Sequence, residues 1–227
     1  MQGETMLLNI PGLPGVVKRA EITFDIYTGE GRQAAGKAQH SFSLQQQYFS
    51  INARRLAVAE EQASDEESWS LHIVGELGWH GLSPLQVSLR EGKQGMSSRL
   101  VDLGELKARA GKERKWQVPD GLLDRQSLIY QFMVSPPSVS GGSLSLADGD
   151  RNLRYDYRVA GSDALPEGIA GLGRTLKLEL RAAEGGSKEL IELWLLPERR
   201  HLPVRVRYTD ARGEVTEMVA TSLDFEE

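Results

Sequence analysis

Along most of this chain apolar residues recur at every second position, the mark of strands with one buried and one wet face. Ile22, Phe24 and Ile26 alternate with Glu21, Thr23 and Asp25, and Gly29-Glu30-Gly31 supplies a turn. His40, Phe42 and Leu44 alternate with serines, and the pattern resumes after Gln45-Gln46-Gln47 at Phe49, Ile51 and Ala53. Leu71 and Ile73 open a strand that runs to Gly78, and Leu85, Val87 and Leu89 alternate with Gln86, Ser88 and Arg90. Later, Leu153, Tyr155, Tyr157 and Val159 oppose Asn152, Arg154, Asp156 and Arg158. Leu176, Leu178 and Leu180 oppose Lys177, Glu179 and Arg181; Val204, Val206 and Tyr208 oppose Arg205 and Arg207; a last run spans 214–223. Short spacings and turns such as Glu91-Gly92-Lys93 and Asp210–Gly213 predict hairpin or meander connections. No β-α-β rhythm appears, so the fold class is mainly β and antiparallel, without a parallel nucleotide-binding sheet.

Three stretches break the alternation. The acidic 59–68 segment and the basic 103–115 segment read as loops. Residues 120–134 predict the one helix, with Asp120 as its N-cap and Leu122, Leu123, Ser127, Ile129, Tyr130 and Met133 at helical spacing. Pro136-Pro137 and Gly141-Gly142 end it. An amphipathic helix is the natural cover for the open apolar face of a large sheet. Residues 1–17, with Pro11, Pro14 and their glycines, read as a lead-in strap, and 18–225 as a single β domain.

Composition narrows the chemistry. The 227 residues carry 27 basic and 32 acidic side chains, a net charge of −5, and no cysteine. Thiol catalysis, disulfides and cysteine-ligated metals are therefore excluded. The longest apolar runs fall far short of the ~20 residues that span a bilayer as a helix. Neither GxGxxG nor a P-loop occurs, and no GxSxG elbow surrounds Ser127 or any other serine. His40, His72, His80 and His201 lack metal-ligand spacing, so no metal or other cofactor is expected. Lys107–Lys115 and Arg199–Arg207 are basic, but acids interleave them and the chain is acidic overall, so no nucleic-acid partner is expected. Carboxylate pairs such as Glu189 with Glu192, or Asp163 with Glu167, exist without any feature that marks them as acid and base.

Two segments carry a family resemblance. Leu122-Leu-Asp-Arg-Gln-Ser-Leu-Ile-Tyr-Gln-Phe132 and Glu192–Gly213, followed by Glu217-Met-Val-Ala220, resemble the bacterial DUF3108 family, a domain of unknown function. The strand and turn at 21–36 and the Gly81-Leu82-Ser83-Pro84 step resemble its earlier blocks, so the likeness runs over roughly 17–225. The resemblance implies export to the periplasm or cell envelope of Gram-negative bacteria, although no leader is visible in the sequence. It also implies a fold similar to lipoprotein carriers: an antiparallel sheet of about ten strands curled into an open half-barrel and covered by the helix. It brings no established catalytic residues.

These readings give three expectations. The first is a non-enzymatic envelope protein that holds an apolar or amphiphilic ligand, or an acylated partner, in the half-barrel's concavity, because unfilled concave apolar surface is the usual form of a ligand pocket. Candidate lining residues are Phe42, Phe49, Trp79, Leu122, Tyr130, Met133, Tyr155, Tyr157 and Trp194. Asp124, Arg125, Arg205 and Arg207 are the candidate polar rim, and for the two strand arginines the competing reading is pairing with acids on a neighbouring strand. The second is a structural or protein-interaction module of envelope biogenesis with a solid core. The third is an envelope glycan hydrolase, with Glu192 or Asp124 as first suspects.

Overall fold

The computed structural model describes residues 17–56, 69–91, 97–102, 122–148, 151–164, 169, 171, 173–183 and 188–226. The loops expected at 59–68 and 103–115, the cap expected at Asp120, Glu167 and nearly all of the lead-in strap lie outside these residues. Thirteen strands form one sheet: β1 Arg19–Thr28, β2 Gln33–Gln45, β3 Tyr48–Leu56, β4 Trp69–Gly78, β5 Gly81–Glu91, β6 Ser97–Asp102, β7 Leu122–Leu123, β8 Gly142–Asp148, β9 Arg151–Gly161, β10 Leu176–Ala182, β11 Leu190–Leu196, β12 Leu202–Thr209 and β13 Val215–Glu226. Their order is β6-β5-β4-β3-β2-β1-β13-β12-β11-β10-β9-β8-β7. Two meanders thus meet at a β1–β13 seam. Every pairing is antiparallel except the short β7–β8 contact.

The sheet curls until β5 approaches β7, so the half-barrel is nearly closed. Strands β6, β7 and β8 exceed the ten expected. Each is short or opens on glycine and serine, where alternation is weakest as a signal.

Helix α1, Arg125–Val134, fills the curl. It starts five residues later than the pattern predicted, because Leu122 and Leu123 pair with β8 as a strand. Asp124 is its N-cap and accepts from the amides of Gln126 (2.8 Å) and Ser127 (3.0 Å). The expected amphipathic cover is instead a plug. Ser127 to Met133 are buried without a break, since the helix touches β5 of one meander and β8 and β12 of the other. A helix enclosed on all sides needs no polar face.

One polar side chain of the plug carries a specific task. Gln131 accepts from the Leu82 amide (2.8 Å) and donates to the His80 carbonyl, clamping the β4–β5 hairpin onto the helix. The clamp explains Gly81. Its φ of +107° suits glycine, and a Cβ there would stand 2.2 Å from Gln131 Nε2.

Candidate functional site

Among the described residues the inward face packs around α1 as one core. Tyr130 stacks on Phe42 at 5.7 Å, and Phe42 on Phe49 at 6.5 Å. Leu122, Met133 and Tyr155 are buried in the same core. Tyr157 stands edge-on to Phe132 at 5.2 Å, and its hydroxyl accepts from the Ser138 amide. Seven of the nine expected lining residues therefore fall in the core region, and they pack on the protein itself.

The other two do not line the concavity. Trp79 sits on the β4–β5 turn and is 85% exposed. Trp194 is buried on the opposite, outer face of β11, because Leu193 and Leu195 take the inward positions. Lys177 and Arg205 cover its ring from 5.0 and 4.2 Å, and its Nε1 donates to Asp163 at 2.6 Å.

Nor do the four rim candidates form a rim. Asp124 and Arg125 start the plug helix, and partial burial pushes the Asp124 carboxyl above its ordinary range. Arg205 and Arg207 lie on the outer face, level in register with Trp194 and Glu192. Arg205 pairs with the buried Glu217, which also takes Arg32 at 2.7 Å, and Arg207 faces Glu192 at 3.8 Å. Lys177 holds Glu192 at 2.6 Å, and Arg158 bonds Glu179 at 2.6 Å, keeping that carboxyl below its ordinary range. This half of the outer face is a ladder of cross-strand ion pairs, as the competing reading of the strand arginines holds.

The carboxylates considered for hydrolysis are apart: Glu192 belongs to the ladder, Asp124 to the helix cap, and Glu189 accepts from the Tyr155 hydroxyl at 2.9 Å. Ser127 Oγ donates to Asp124 within the cap.

The histidines are dispersed. His40 is in the core, His72 on the outer face of β4, His80 on a turn and His201 in the β11–β12 turn. Among the described residues no three metal-ligating side chains come together. Burial pushes His40 down to about 4, and its Nδ1 lies 2.9 Å from the Tyr130 hydroxyl while Nε2 meets no polar group. The imidazole is therefore neutral and packed edge-on to Phe24 at 5.0 Å.

Among the depressions lined by described residues, two lie on the outer face and one at the start of α1. One, of about 590 Å³, crosses the outer face of β1–β5. Its floor is a set of cross-strand rows: Gln39, Arg54, Ser70 and Arg90, then Glu21, Ser41, Asn52, His72 and Ser88. A second, of about 360 Å³, continues along the same strands past Ser43, Ser50 and Val74 to Gln45 and Tyr48. Together they form a trough roughly 20 Å long, from six residues at ~3.3 Å each, with polar side chains along the first depression and Val74 and Leu85 among those of the second.

Side chains in it brace one another. Arg54 bonds Gln39 Oε1 (2.7 and 3.1 Å), Asn52 Oδ1 lies 2.6 Å from His72 Nδ1, and the Ser43 and Ser50 hydroxyls are 2.8 Å apart. The alternating serines and amides were visible in the sequence, but no motif singled them out. A third depression, about 340 Å³, lies at the start of α1 among Arg125, Tyr155, Glu189 and Tyr208.

Fold and site define a helix-plugged, barrel-like β protein with an outer trough. The chain belongs to the family DUF3108, protein of unknown function, which matches residues 72–220. The match spans β4 to β13, a shorter stretch than the 17–225 likeness, and leaves β1–β3 before it. No curated protein matches the chain.

Proposed function

We propose that this chain is a non-enzymatic binding module of the cell envelope, built as a solid scaffold that meets other molecules on its outer surface. The observation that carries the reading is the burial of Phe42, Phe49, Tyr130 and Met133 in one core, where the described part of the concavity is taken up by the protein's own side chains. Protein interiors are close-packed, so an acyl chain would enter such a core only if α1 yielded. The envelope location rests on the family resemblance.

Titration with palmitate, followed by native mass spectrometry and intrinsic tryptophan fluorescence, tests the proposal. The expected result is an unliganded mass and unchanged emission. Stoichiometric, saturable uptake would overturn it in favour of an amphiphile carrier. One feature favours that second reading: Arg125 stands beside the depression at the start of α1, where a head group would sit if the helix moved.

A further inference from the structure

We infer that the trough on β1–β5 binds a linear, carboxylate-bearing oligosaccharide; this rests on the reading of the outer surface as the working one. Three observations support it. First, the cations of the trough lack the arrangement seen on the other meander. Arg158, Lys177, Arg205 and Arg207 each meet a carboxylate, whereas Arg54 bonds only the neutral Gln39, and no ion pair joins Arg90 to an acid among the described residues. The one acid in the trough, Glu21, is already engaged by Arg19. Among the described residues this leaves Arg54 and Arg90 without a carboxylate partner beside an open groove, which suits an anion.

Second, the floor is rich in hydroxyl and amide groups, Ser41, Ser43, Ser50, Asn52, Ser70 and Ser88, with the apolar Val74 and Leu85 towards its Tyr48 end. These groups both donate and accept, as sugar hydroxyls do, whereas carboxylates only accept. An acidic peptide offers donors only along its main chain, whereas each uronic-acid unit carries a carboxylate and hydroxyls together. A uronic-acid chain matches both the arginines and the hydroxyl rows. Third, the groove is open and elongated and ends at Tyr48, 53% exposed, which offers a ring face for the apolar side of a sugar,. The His72 ring is held through Nδ1 by Asn52 Oδ1.

The test is an NMR titration of the full chain with tetragalacturonate, beside cellotetraose, tetraglutamate and inorganic phosphate. Shifts should centre on the amides of Ser41, Asn52, His72 and Ser88. Arg54→Gln and Arg90→Gln should each weaken uronate binding roughly fivefold, the effect of losing one exposed charged contact, without altering the melting temperature. The inference is overturned if tetragalacturonate causes no shifts at millimolar concentration, if R54Q and R90Q leave affinity unchanged, or if tetraglutamate or phosphate binds as tightly. Palmitate titration of the same sample separates the two readings. With palmitate excluded and uronate failing, only the glycan assignment falls; with palmitate taken up, the solid-scaffold proposal falls whatever uronate does.

Discussion

The outer faces of the two meanders are built from the same alternating strands and satisfy their polar groups in opposite ways. On β10–β13 the charged side chains consume one another: Lys177 and Arg207 flank Glu192, while Arg205 and Arg32 converge on Glu217. That closed network even hides a tryptophan, Trp194, on what would otherwise be a wet surface. On β1–β5 the trough is rich in short hydroxyl and amide side chains, its two arginines meet no carboxylate among the described residues, and the bonds among these groups leave donors and acceptors over. A sheet face that pairs with itself contributes rigidity. One with spare hydrogen-bonding capacity can exchange its water for a partner, because a water-for-ligand trade costs little when the polar groups are matched.

Four substitutions or titrations would break or sharpen that contrast. The largest effect belongs to the clamp that holds the trough-bearing hairpin on the helix. Gly81→Ala introduces a side chain at positive φ and displaces Gln131, leaving the Leu82 amide unpaired. A loss of about 3–5 kcal/mol is expected in urea unfolding, and a loss under 1 kcal/mol would show that the clamp is incidental.

Next comes acid. His40 has an ordinary value of 6.5 and is held at about 4 by burial. The unfolded chain therefore takes the proton first, so the contribution of neutral His40 is full above 6.5, falls as pH drops below it and levels off below about 4. The full span is worth about 3 kcal/mol. His40→Phe should remove this part of the slope of stability against pH between 7 and 4. An unchanged slope would mean that the imidazole is not kept neutral by its burial.

Glu217→Gln tests the other half. It strips the charge from a carboxylate that is 2% exposed and takes two arginines, and about 2 kcal/mol should be lost, discounted because Arg32 and Arg205 still reach water. The smallest effect is expected in the trough. Arg54→Gln should change stability by no more than about 0.5 kcal/mol, as for an exposed residue outside any network. If E217Q proved neutral and R54Q costly, the two faces would have exchanged roles.

Period-two alternation was enough to read β1–β5, β9, β10, β12 and β13 from sequence, since each of those strands keeps an apolar and a polar side. It failed at β11, where residues from Ile191 to Leu196 are all buried. Parity there still placed Trp194 with Glu192 rather than with Leu193, but the aromatic side chain suggested the core. The actual burial arises from Lys177 and Arg205 on other strands, which no local pattern reveals. Helix α1 was legible as a helix. Its enclosure was not, because an apolar stripe of six residues looks the same whether the remaining faces meet water or a curled sheet. The trough's serines were plain in β2, β3 and β4, yet whether a sheet face is dished or flat depends on twist and bulges, such as the shifts at Thr23/Phe24 and Val74/Gly75,. Gln131 and Gly81 lie fifty positions apart, and only the folded chain joins them.

The seam between β1 and β13 has a consequence in time. Each meander is assembled from neighbours along the chain, but β1 waits for a strand that emerges from the ribosome almost two hundred residues later, and Thr221 finally bonds the Thr23 carbonyl across that gap. Long-range pairings of this kind are slow. Until β13 arrives, β1 carries an unsatisfied edge, so closing this seam is the step that ties the two ends of the chain into one sheet,.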